Sequence, residues 1–268
     1  MLMQRLITAI FLLSLVILSM MYLPDLALTL VWSSICLLAL WEWQRLVGCC
    51  AKFITVGFLI SQAIVMYGVY WIPTSIVLTI GSGVWLLLSI AVIQYPEGWK
   101  RWQQFPGIRL VIGTLVVIPA WYAVLYLRFH DTGFALLFLM LIIVWSADSG
   151  AYFAGRYWGH RPLAPAISPN KTYEGMIGGI IVAGLVAFGY TGWVLQSHYF
   201  TLGFTLVIIA TIMMSILGDL FESAVKRQAG VKDSGTIVWG HGGVLDRLDS
   251  LLAAAPIFAL GIRVLDGL

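Results

Sequence analysis

Runs of about 20 consecutive apolar residues recur along the whole chain, and this repetition constrains the fold more than any other feature. A helix needs about 20 residues to cross ~30 Å of hydrocarbon, because it rises only ~1.5 Å per residue. Nine candidate runs are read, several of them shorter than this, from Leu6 to Leu23, Leu26 to Leu40, Phe53 to Tyr70, Thr74 to Gln94, Leu110 to Leu127, Phe134 to Ala147, Gly175 to Leu195, Phe200 to Leu217 and Leu251 to Leu265. The expectation is an all-α, polytopic membrane bundle of about nine transmembrane helices, its N-terminus cytoplasmic. The second and sixth runs should extend into their aromatic flanks. The first run lacks a small-residue cleavage site, which points to a retained anchor rather than a signal peptide. Composition agrees: hydrophobic residues are 61% and charged residues 10%, against about 45–50% and about 25% in soluble domains. So few charges exclude a soluble enzyme, a nucleic-acid binder and a disordered chain.

Charge placement tests the count, because Lys and Arg are retained on the cytoplasmic side of short loops. Threading nine spans from the inside leaves only Arg128 and Arg263 outside, so thirteen of the fifteen basic residues share one face. An error of one span in the middle would scramble that pattern. The outer connections, such as Pro24-Asp25 and Gln196-Ser197-His198, are short. Trp41, Trp43, Trp71, Trp99, Trp102 and Trp193 fall near span ends and are assigned to an interfacial belt. Pro119 interrupts the fifth run and should bend it. Cys36, Cys49 and Cys50 form no disulfide or metal spacing and are read as reduced packing residues.

Residues 1–130 carry few, scattered polar groups and read as a transmembrane scaffold; residues 131–268 read as a catalytic region with cytoplasmic site loops at 148–174 and 218–250. Those two segments hold seven of the twelve acids, namely Asp148, Glu174, Asp219, Glu222, Asp233, Asp246 and Asp249, and seven of the fifteen bases. Charges near membrane depth cost roughly 2.5–3.5 kcal/mol each, so such crowding calls for a partner, ion or substrate. If residues 218–227 continue the eighth span as helix, Asp219, Glu222, Ser223 and Lys226 share one face. That face suits a hard cation leading to a phosphate, or equally a solvated helix exit with a Glu222–Lys226 pair. Gly240-His241-Gly242-Gly243 is a loop whose bare backbone allows close approach of a ligand, although His241 alone would more often be a hydrogen-bonded loop residue. Asp246 and Asp249 then open the last helix, where its dipole favours carboxylates. In the earlier segment Ser168 is read as a helix cap, Pro169 as a first-turn residue, and Lys171 and Thr172 as lying at a helix N-terminus, a natural anion site.

The spacing of Ser223, Lys226, Arg227, Lys232, Asp233, His241, Gly242, Gly243, Asp246, Arg247 and Asp249 resembles the signature of the phosphatidate cytidylyltransferase family. Asp148-Ser149-Gly150-Ala151-Tyr152 and Ser168-Pro169-Asn170-Lys171-Thr172 are also similar to that family, so the resemblance spans roughly residues 140–255. Trp239 departs from it, standing where the family usually has proline.

The resemblance implies transfer of CMP from CTP to phosphatidate, giving CDP-diacylglycerol and pyrophosphate, with Mg²⁺ as cofactor, one or two cations in all. It also implies a homodimer in a bacterial inner membrane with a cytoplasmic active site and lateral access for lipid. On this reading Asp219 and Asp246, supported by Asp249 or Glu222, hold the metal, while Lys171, Lys226, Lys232 and Arg247 take phosphates. Ser223, Arg227, His241, Gly242 and Gly243 line the substrate. A phosphate monoester is already ionised at neutral pH, so the attacking oxygen needs no strong base. Two other readings stay open: a CTP-dependent lipid-alcohol kinase, and, with less support, a multi-span transporter.

Overall fold

The computed structural model describes residues 14–49, 51–97, 105–195, 201–237 and 242–267. Helix dominates because the apolar runs leave the backbone no water to bond, and a helix satisfies its own N–H and C=O groups. Helix covers residues 14–22, and eight long apolar helices follow among the described residues. They are α1 (Asp25–Leu46), α2 (Lys52–Val69), α3 (Thr74–Ile93), α4 (Pro106–Arg128), α5 (Gly133–Trp158), α6 (Tyr173–Tyr190), α7 (Leu202–Gln228) and α8 (Leu245–Asp266). A short π-helical turn, Thr191–Leu195, prolongs α6. These correspond to the second through ninth expected spans; the first span before residue 14 lies outside the described residues.

Several boundaries differ from expectation. The second and sixth spans extend to Leu46 and Trp158, so Asp148 lies in the last three turns of α5 rather than in a loop. The rest of the supposed 148–174 loop is an antiparallel hairpin of β1 (Pro162–Ala164) and β2 (Ser168–Thr172). Ser168 therefore caps no helix and Pro169 occupies no first turn. The cap is Thr172, whose Oγ1 accepts from Gly175 N at 3.1 Å. Glu174 closes the hairpin base by accepting from His160 N and Arg161 N at 3.1 and 3.2 Å.

The central helix is α8, which packs against α1, α3, α4, α5 and α7. Ala253, Ala254, Ala255 and Ala259 are all fully buried, and these small side chains are what let five neighbours approach one axis. Gly81 serves the crossing of α3 with α4 and α8, because a Cβ there would overlap Pro119 and crowd Pro256. In the same way Gly218 brings α7 onto α8: a Cβ would lie 2.6 Å from Asp249 O and 2.8 Å from Ala253 Cβ. By contrast α2 buries only Gln62, Met66 and Val69, as a lipid-facing peripheral helix should.

Helix alternation sorts the charges between two ends. Arg45, Arg109, Arg156, Lys171, Lys226 and Arg247 lie at one, here termed the basic end. Asp25 lies at the other, where Arg128 approaches it at 3.9 Å and donates to Met20 O, and His130 Nε2 lies 2.9 Å from Asp266 Oδ2. Trp193 is 88% exposed and Trp71 is exposed too, as a belt requires; Trp43 is 3% exposed and packs inside, stacked on Phe221. It is therefore a core residue, because its indole finds both an aromatic partner and an acceptor, Arg109 O at 2.9 Å, within the bundle. Trp99, Trp102, Cys50, Lys100, Arg101 and the Gln196-Ser197-His198 connection lie outside the described residues. Cys36 and Cys49 are free, as expected.

Candidate active site

Two lysine clamps organise the basic end. One lysine comes from the hairpin: Lys171, the fourth residue of β2, pairs its Nζ with Asp219 Oδ2 of α7. The other belongs to α7 itself. Lys226 Nζ donates to Asp246 Oδ1 of α8 at 2.7 Å and to Glu222 Oε2 one turn back at 3.3 Å. Asp219, Glu222, Ser223 and Lys226 thus do share a helix face, and Ser223 Oγ lies 3.4 Å from Asp219 Oδ1. The clamps tie hairpin, α7 and α8 into one polar cluster where Gly218 allows the two helices to touch. Pairing is obligatory here: Glu222 is 2% exposed, and a buried charge without a partner costs several kcal/mol.

Asp246 is the most heavily engaged carboxylate. Besides Lys226 on Oδ1, its Oδ2 accepts from Ser234 N at 2.8 Å, Ser234 Oγ at 2.9 Å and Gly243 N at 2.8 Å. It therefore ties Ser234 and Gly243 to the start of α8, which the sequence reading did not anticipate. Gly242 has φ +86°, a conformation that excludes most side chains, and a Cβ there would meet Asp246 Oδ2 at 2.7 Å. The glycines are there because carboxylates lie directly against the backbone.

The residue that sequence reasoning missed is Glu42, near the end of α1 and fully buried. Its Oε2 accepts from Leu245 N at 2.8 Å and Ser234 Oγ at 3.1 Å. A Cβ on Gly235 or Gly243 would collide with the same carboxylate. The first helix of the supposed scaffold thus holds the first N–H of α8. A lone acid within an apolar run was the available signal, since such a residue is a functional-site candidate by default.

The cluster widens toward α5. Asp148 lies within electrostatic range of Asp249, Asp219, Lys171 and Arg247, and Glu222 and Asp249 are within hydrogen-bonding reach of one another. Arg247, within reach of Asp148, and Lys232 are both exposed. Arg227 Nε donates to Ile167 O at 3.1 Å, which fastens the hairpin turn to α7. His241 and Trp239 lie outside the described residues.

Of the two acids expected to hold a cation, Asp219 is paired with Lys171 and Asp246 with Lys226. Among the described residues no three His, Cys, Asp or Glu side chains form a ready metal cage. The donors still suit Mg²⁺, which is usually held by one or two carboxylates together with substrate phosphates. Glu222 Oε1 is buried without a hydrogen-bond partner, beside Asp249 and near Asp219.

Sequence comparison decides the family. Residues 3–265 match the cytidylyltransferase family. The chain belongs to that family. It is 36% identical over 283 residues to a phosphatidate cytidylyltransferase of Haemophilus influenzae, covering 97% of this chain and 98% of that one. The corresponding enzyme of Pseudomonas aeruginosa is 39% identical over 265 residues, covering 97% and 96%. That of Bacillus subtilis is 46% identical over 127 residues, covering 46% of each chain. Against this cytidylyltransferase background, the hairpin lysine, the α7 face and the first turn of α8 are the elements to be read chemically.

Proposed function

We propose that the chain transfers CMP from CTP to phosphatidate at the cytoplasmic face of a bacterial inner membrane, releasing pyrophosphate. The observation that carries this reading is the pair of clamps: two ammonium groups and at least four carboxylates, drawn from a hairpin and two helices, meet at the membrane end that also carries the basic residues. Family membership and the relatives' activity support it. A homodimer is proposed on the resemblance alone.

In the reaction a phosphatidate oxygen attacks the α-phosphorus of CTP, and the bond to the α,β-bridging oxygen breaks. The attacking monoester is already ionised, so alignment and charge neutralisation are the main tasks. Lys171 is half-exposed and closes one side of the cluster. An incoming phosphate gives its ammonium a second anion beside Asp219, so the lysine can hold the nucleotide without being left unpaired beforehand. Lys226 is more deeply enclosed and keeps α7 and α8 in register through Asp246. Arg247 and Lys232, both exposed, are placed for the leaving pyrophosphate. Asp219, Asp249 and Glu222 are the residues that would hold Mg²⁺, and the ion would supply the positive charge that two anionic substrates require. Lipid access follows from position, since the cluster lies at span ends and acyl chains can remain in the bilayer.

The test is incubation of purified protein with α-labelled CTP, phosphatidate and Mg²⁺. Label in a CDP-lipid with release of pyrophosphate is the expected result. A phosphorylated lipid alcohol with release of CDP would instead mean γ-phosphoryl transfer.

A further inference from the structure

A second polar feature at the basic end takes no part in this chemistry. Between α1, α3, α4 and α7 lies a cavity of about 280 Å³ with an apolar wall of Trp43, Leu88, Ile112, Phe221 and Val225. Helical periodicity puts Phe221, Val225 and Gln228 on the side of α7 opposite Asp219 and Ser223, so the cavity is separated from the lysine clamps by the body of that helix. Its rim on the water side is formed by half-buried Gln228 and exposed Ala229. Beside it Ile108 and Val111 are exposed, 44% and 55%, as lipid-facing side chains are.

Among the described residues one cation, Arg109, lines this apolar space. Arg109, in the first turn of α4, is half-buried, and its Nε is buried with no hydrogen-bond partner among the described residues. Its own carbonyl is held by the Trp43 indole, which fixes the backbone from which the guanidinium projects. A guanidinium that is always charged, with an open donor at the level where helices end, is complementary to a lipid phosphate. The volume, just below the usual ~300–1,000 Å³ of ligand pockets, suits a head group or a length of one chain rather than a nucleotide. Charge narrows the choice further: the Arg109 guanidinium matches the single charge of an anionic phosphodiester lipid, whereas a monoester carries close to two negative charges.

We propose that this cavity binds one anionic phosphodiester lipid of the surrounding bilayer, whose single negative charge is not already balanced by its own head group, with its phosphate on Arg109 and part of an acyl chain against Trp43 and Phe221. The site is separate from the catalytic cluster and stands whether or not the proposed reaction is right.

Trp43 supplies the readout, because bromine on an acyl chain quenches indole fluorescence on contact. The full-length protein is placed in phosphatidylcholine vesicles in which a few mole per cent of the lipid is brominated phosphatidylglycerol, brominated phosphatidylcholine or brominated phosphatidate. The expected result is saturable extra quenching by brominated phosphatidylglycerol, absent from Trp43→Phe. Arg109→Gln should weaken that component about tenfold or more, the loss expected for a charge-assisted contact, and Arg109→Lys should retain it. Ala91→Phe, which fills the cavity from α3, should reduce it without removing the cation. Equal quenching by brominated phosphatidylcholine would overturn the proposal, as would an unchanged signal in folded Arg109→Gln or Ala91→Phe. Stronger quenching by phosphatidate would overturn the diester assignment.

Discussion

Replacing Glu42 by alanine should damage a reaction whose presumed participants lie in distant parts of the chain. The carboxylate accepts from Leu245 N and Ser234 Oγ and is fully buried. Ser234 Oγ keeps Asp246 Oδ2 at 2.9 Å when Glu42 is removed, so its loss is small. Leu245 N has no such alternative, and a buried amide left without an acceptor costs about 1–3 kcal/mol. The space between Gly235 and Gly243 adds a cavity, while relief from burying the carboxylate offsets part of the total. A net destabilisation of about 1–3 kcal/mol is expected. Activity should fall further, because Leu245 is followed directly by Asp246, and a displacement near 1 Å at a reacting centre can cost about 10²-fold. Glu42→Gln keeps one carbonyl oxygen for Leu245 N and directs its amide toward the side where Glu42 Oε1 lacks a partner among the described residues. It should retain activity within about tenfold, as a change that spares that hydrogen bond would. The assays are label transfer from CTP and thermal unfolding in detergent. Wild-type turnover in Glu42→Ala would refute the claim that α1 holds the start of α8.

Other perturbations separate roles within the cluster. Asp219→Ala should abolish turnover, by at least about 10²-fold, while leaving the unfolding temperature close to wild type, since the paired Lys171 is half-exposed and can reach water. Asp246→Ala should abolish turnover and also destabilise the protein by about 2–4 kcal/mol, because it orphans Ser234 N, Gly243 N and a buried Lys226 contact together; a variant as stable as wild type would show that the loop is held elsewhere. Gly243→Ala should behave like a loop mutation, with loss of activity, because its Cβ collides with Ser234 Oγ and Glu42. Arg227→Met should raise the KM for CTP more than it lowers kcat, since it frees the hairpin carrying Lys171; an unchanged KM would count against that link. Chelation should stop turnover without unfolding the protein, and Mg²⁺ should restore it; full activity in chelator would remove the cation from the proposal.

The bundle was legible because one force dominates it. Spans two through nine follow from the apolar runs and their aromatic flanks, and the helices alternate so that most basic residues gather at one end. What eluded the sequence was any feature decided by contact between remote segments. Trp43 has the composition of a belt residue, but stacking on Phe221 and a bond to Arg109 O draw it inward. Asp148 and its neighbours read as loop because charges interrupt the apolar run, yet α5 continues because its polar side chains face the cluster rather than lipid. The three backbone and side-chain donors from Ser234 and Gly243 that converge on the second oxygen of Asp246 likewise leave no mark in residue type. Glu42 was hidden by the same averaging that made the spans visible, as a single acid hardly alters the hydropathy of a 22-residue helix.

The charge content of the cluster carries its own argument for a missing partner. Among the described residues that interact electrostatically there, Asp148, Asp219, Glu222, Asp246 and Asp249 face Lys171, Lys226 and Arg247, five acids against three cations. With all ionised, the region is formally negative before either substrate arrives, although both proposed substrates are themselves polyanions. Lysine clamps explain how such a set of acids is tolerated in the resting protein, since each buried carboxylate is near a counter-charge. They do not explain how a triphosphate and a phosphomonoester would be drawn to the same place. Under the proposed reaction a divalent cation arriving with the nucleotide would resolve this, because it would make the excess carboxylate a binding surface rather than a repulsive one and would leave the lysines available to phosphate.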